Sequence, residues 1–102
     1  MGYYHFEVER KERRLFIEKH IGYGEPVATV NFKSETSDRT RINVLTDKGI
    51  IFIYNRDWHI VTIMIASYPQ ALKIYRKAHD EEPPEWMKSN FIEAARWKEY
   101  EP

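Results

Sequence analysis

The 102-residue chain has no cysteine. Disulfide frameworks and cysteine-ligated metal sites are therefore excluded. It has no net charge, because 16 Lys and Arg balance 16 Asp and Glu. That removes the simplest electrostatic sign of a nucleic-acid binder, a strong basic excess. It also has no long apolar run. The two best, GIIFIYN and HIVTIMIA, are strand-sized and well short of a membrane span. The opening MGYYHFEVERKERR holds no apolar stretch, so no secretory signal is expected. Phe6 stands where an N-myristoylation pattern needs Ser or Thr. A cytosolic protein without membrane contact is expected. GxSxG, P-loop and GxGxxG patterns are all missing. Serine-nucleophile, nucleoside-triphosphate and dinucleotide chemistry therefore have no support.

What is present suits one α+β domain. Apolar residues make up 42% and aromatic residues 15%, enough for a packed interior. Charge is unevenly placed. Residues 79–102 hold seven acids against three bases, and residues 1–78 hold thirteen bases against nine acids. Ordinary solvated surface explains this distribution well. Residues 6–20 read as a charged helix stopped by Gly22, Gly24 and Pro26. Residues 27–66 read as a four-stranded antiparallel meander. Asp47-Lys48-Gly49 is its central hairpin loop, with Gly49 in the left-handed position. Residues 68–79 form a helix opened by Pro69, and residues 85–100 a last helix behind two prolines.

Hairpin parity sorts side chains onto two sheet faces. The Asp47–Gly49 loop pairs Ile42 with Tyr54 and Val44 with Phe52. A four-residue second turn would pair Tyr54 with His59, Phe52 with Val61 and Ile50 with Ile63. One face is then almost wholly apolar and is the expected core, covered by the helices. The other face carries Arg41, Asn43, Leu45, Ile51, Ile53, Ile60, Thr62 and Met64. It is too aliphatic to stand in water. The C-terminal helix, a second copy of the chain, a protein partner or a ligand must cover it.

Candidate chemistry is sparse. The four histidines form no HxH or HxxxH pair, so neither a metal nor any other cofactor is expected. His20 suits a helix C-terminus, and His79 a solvated helix end. What remains is metal-free general acid–base chemistry, such as RNA cleavage by internal attack of a 2′-hydroxyl. That needs a base, an acid and a cation on the developing phosphorane charge. His5 or His59, Arg41 with Arg39 or Arg13, Thr62 and a tyrosine such as Tyr54 supply those types. Each has a plainer explanation by itself: Arg41 as a sheet-edge charge, Thr62 as a strand former, His59 as a turn neighbour.

The layout is a histidine ahead of a charged helix, a meander with RINVLTDKGIIFIY and HIVTIMIA, and a short helix. Over residues 5–77 it resembles the small ribonuclease domains of the barnase–EndoU–colicin–RelE superfamily, especially phage-borne and toxin-like members. The resemblance implies a helix on one sheet face and RNA on the open one. It also implies a catalytic skeleton of His5, Arg41 and Thr62. A second class of function is a non-catalytic inhibitor or adaptor that binds a protein through Arg41, Asn43 and Ile53. A third is an RNA binder without turnover, whose Tyr3, Tyr4, Tyr23 or Trp58 stacks on bases.

Overall fold

The computed structural model describes residues 11–33 and 40–102. The first helix, α1, spans Lys11–His20. Glu12 lies in its first turn and Lys19 and His20 in its last, each sign matched to the helix dipole. Gly22, at φ +89°, ends it by turning its N–H back onto the Ile17 carbonyl at 2.8 Å. The expected helical residues 6–10 lie outside the described residues.

Four strands follow: β1 (Pro26–Lys33), β2 (Thr40–Thr46), β3 (Ile50–Tyr54) and β4 (Ile60–Ile65). They form one antiparallel sheet in chain order. The β2–β3 hairpin has the expected register, Ile42 opposite Tyr54 and Val44 opposite Phe52. Gly49 takes φ +85°, as the loop requires. The Thr46 hydroxyl fixes this turn by accepting from the N–H groups of Lys48 and Ile50.

The β3–β4 hairpin corrects the expectation. Tyr54 faces Ile60, Phe52 faces Ile63 and Ile50 faces Ile65. The turn is one residue longer than assumed, and a bulge leaves Val61 without a partner in the ladder. A bulge adds one residue and inverts the alternation beyond it. Ile60 therefore joins the side of Ile63 and Phe52, not that of Arg41 and Asn43.

The next helix, α2, spans Tyr68–His79. Its Ser67 N-cap and Gln70 form a reciprocal capping box, with Pro69 in the first turn. The last helix, α3, spans Glu85–Lys98. Both faces of the sheet carry core. On one, α2 lays Ala71, Ile74 and Tyr75 over Ala28, Val30, Leu45 and Ile51. This is the mixed face, and its main cover is α2, with the last helix adding Met87 and Phe91 at one end. The reason is local: Ser67 and Pro69 start a helix directly after β4, so the chain folds back at once.

On the other face α1 lays Ile17 over Ile50, Ile63 and Ile65. Helix α3 closes the sheet end at the β2–β3 turn and serves both layers. Met87 and Phe91 enter the first cluster, Ala94 and Trp97 the second. A side chain at Gly49 would meet the Ala94 Cβ at 3.1 Å, so the turn and α3 are in close contact. Among the described residues no helix is long and apolar enough to cross a membrane.

Candidate functional site

The sequence candidates fall into three places. Asn43, Ile53 and Thr62 lie in one row across three strands, with Arg41 on the same face, as parity implied. That row is not an open groove. Asn43 is buried, and Ile53 packs against the cluster beneath α2. Thr62 and Arg41 are half-buried, and the Thr62 hydroxyl points at the Ile63 carbonyl at 3.5 Å. Lys73 and Lys77 of α2 reach the ring of Phe32, the partner of Arg41, at 5.8 and 4.7 Å. Arg13 is elsewhere. Its guanidinium donates to the Ile63 carbonyl at 3.0 Å, at the outer edge of β4. His5 and Arg39 lie outside the described residues.

His59 and Tyr54 belong to a third place, the β3–β4 turn. The turn is built by one side chain. Asn55 Oδ1 accepts from the N–H groups of Asp57 and His59, both at 2.9 Å. The Trp58 N–H closes onto the Asn55 carbonyl at 3.0 Å. These bonds hold Trp58 at φ +61°, a left-handed conformation that a bulky residue rarely adopts. Its ring is 58% exposed and lies 5.5 Å from that of Tyr54. Glycine suits this position best, so a tryptophan here carries a conformational cost of roughly 1–2 kcal/mol.

Next to this aromatic pair is the part of the sheet that no helix among the described residues covers. On the α1 side, β1 presents Thr29, Asn31 and Lys33, all exposed. A shallow depression of about 550 Å³ opens there, lined by Asn31, Lys33, Thr40, Ile42 and Arg56. It has two cations and no acid among these residues. Its surface is mostly amide, hydroxyl and guanidinium or ammonium, with Ile42 beneath. Such a surface accepts anions and polar edges, and the neighbouring rings accept flat groups. Asn31, Lys33, Thr40 and Arg56 escape the sequence reading. The signal for Asn31 and Lys33 was the alternation in β1, whose Thr29, Asn31 and Lys33 share one face.

Elsewhere the ionisable groups are structural. Burial, and then the nearby Glu18 carboxylate, push the Tyr23 hydroxyl up to about 12. The Arg76 guanidinium bonded to Glu82 holds that carboxyl below its usual range. His20 stacks on Trp97 with ring centroids 4.4 Å apart and so ties α1 to α3. His79 meets the Val27 carbonyl through Nε2 at 2.6 Å, joining α2 to β1. Among the described residues no three His, Asp or Glu side chains are grouped to hold a metal ion. No protein-family model, curated protein or solved structure matches the chain.

Proposed function

We propose that this chain is an RNA-directed binding protein. It takes single-stranded RNA across the open β1–β2 half of the sheet and onto the β3–β4 turn. The observation that carries this is Trp58, 58% exposed, held left-handed by Asn55 and paired with Tyr54 beside the cationic depression. Single strands offer flat unpaired bases and a phosphate every nucleotide. Trp58 and Tyr54 stack on bases. Arg56 and Lys33 neutralise phosphates. Asn31 and Thr40 supply hydrogen bonds to sugar or base edges. Duplex RNA offers no unstacked base and engages the aromatic pair poorly. Binding of this kind needs no turnover, and it leaves Arg41 and Thr62 to the face beneath α2.

The test is fluorescence anisotropy with a labelled mixed-sequence RNA, single-stranded and duplex, in EDTA. The same RNA is run on a gel after incubation. The expected result is binding of the single strand, intact RNA, and weakening by roughly 5- to 150-fold in Trp58→Ala. Equal affinity of wild type and Trp58→Ala contradicts the proposal. Cleavage that disappears in His59→Ala points instead to the acid–base chemistry of a ribonuclease.

A further inference from the structure

Among the described residues, strand β4 has a strand neighbour only on its β3 side. Its outer edge is occupied by side chains. The Ile63 carbonyl accepts from Arg13 Nη1 at 3.0 Å. The Ile65 N–H donates to Glu101 Oε2 at 2.8 Å, and the Ile65 carbonyl accepts from Lys98 Nζ at 2.8 Å. The three side chains also hold one another. Glu101 lies 3.7 Å from Arg13 Nε and 3.8 Å from Lys98 Nζ, and its side chain is only 10% exposed. Arg13 donates further to the main-chain oxygen of Pro102. Acceptor, donor and acceptor on alternate residues are what an added antiparallel strand would bond. Here one carboxylate and two cations stand in for that strand.

We propose that Lys98–Pro102, clamped by Arg13, is a latch on this edge, and that releasing it lets β4 pair with β4 of a second copy of the chain. The strand itself, IVTIMI, contains no charge and no proline. Its one internal irregularity is the bulge at Val61, which lies ahead of the Ile63–Ile65 segment that the latch bonds. Among the described residues, the charged groups bonded to this edge are those of the latch and its clamp Arg13. An identical strand run antiparallel about a two-fold axis fills both sets of outward groups with one set of bonds. The latch sits at the β4 edge and the depression in the β1–β2 half, so the two proposals are tested separately.

The experiment uses the full chain without RNA. Wild type and Lys98→Ala/Glu101→Ala are compared by light scattering across a concentration series, with amide exchange of Ile65 read by NMR. Wild type is expected to stay at 12.3 kDa, with its Ile65 amide protected. The double variant is expected to approach twice that mass as concentration rises. Its Ile65 amide should exchange fast when dilute and slowly when paired. A folded variant that stays monomeric overturns the latch, as does a dimer that leaves the Ile65 amide unprotected. Dimeric wild type also overturns it. If the double variant does not fold, Glu101→Ala alone is read by the same criteria.

Discussion

One face of the sheet divides into two unlike halves. Under α1, Ile50, Ile63 and Ile65 are fully buried. Across the same face, Thr29, Asn31 and Lys33 stand exposed. The strands are continuous and the backbone geometry is shared, so the difference lies in the side chains and in which helix reaches them. The described helix α1 lays Ile17 over Ile50, Ile63 and Ile65, on the β3–β4 side of this face. The chain places aliphatic residues where that helix lies and polar, cationic and aromatic ones where no described helix lies. That half, uncovered among the described residues, carries the two cations and the exposed, left-handed tryptophan on which the proposed RNA binding rests.

The largest expected effect breaks the covered half. Ile63→Ala should lower unfolding free energy by about 2–5 kcal/mol, because it opens a cavity between α1 and the sheet. Asn31→Ala, on the open half, should change it by less than about 0.5 kcal/mol. Urea titrations of both variants check the contrast. Similar losses at the two sites would mean that the open half also carries the fold.

The turn sharpens the contrast next. Trp58→Gly and Trp58→Ala both remove the ring and should lose RNA affinity alike. They differ in backbone freedom at φ +61°. The glycine variant should be the more stable by roughly 1 kcal/mol, the left-handed penalty less the entropy cost of glycine. Thermal melts of the pair read this directly. Arg56→Ala and Lys33→Ala should act more mildly. Each should flatten the dependence of log affinity on log salt by roughly one unit, as loss of one phosphate contact does.

Much of the sheet was legible in the sequence. Asp47-Lys48-Gly49 specified its hairpin, and with it the faces of Arg41, Asn43 and Ile53. Pro69 announced α2. What parity could not supply was the bulge at Val61, because a one-residue insertion leaves no mark in a run whose only unbranched residue is Met64. Nor could it say which helix covers which face. That depends on where α2 lands after β4, a tertiary fact. The candidate site was less legible. Trp58 was visible as a stacking residue, but its left-handed backbone depends on the Asn55 side chain. Arg56, Lys33, Asn31 and Thr40 come from three separate segments that only the β1–β2 pairing and the turn bring together.

The smallest effect concerns the covered half and pH. The Tyr23 hydroxyl, raised to about 12 by burial and Glu18, stays neutral in the fold after it would ionise in the unfolded chain. Its contribution is therefore fully present below the ordinary tyrosine value near 10. It fades as pH rises toward 12. Tyr23→Phe should remove this alkaline loss while leaving RNA binding at neutral pH unchanged. Unfolding titrations between those limits measure it.

The most direct test of the open half is an NMR titration of the labelled chain with a short single-stranded RNA of mixed sequence. The shifts are predicted to concentrate at Asn31, Lys33, Thr40, Tyr54, Arg56 and the Trp58 indole, with Leu45, Ile51 and Met64 beneath α2 unmoved. Shifts centred on Arg41 and Thr62 instead, or no shifts at all, would contradict the assignment of this surface.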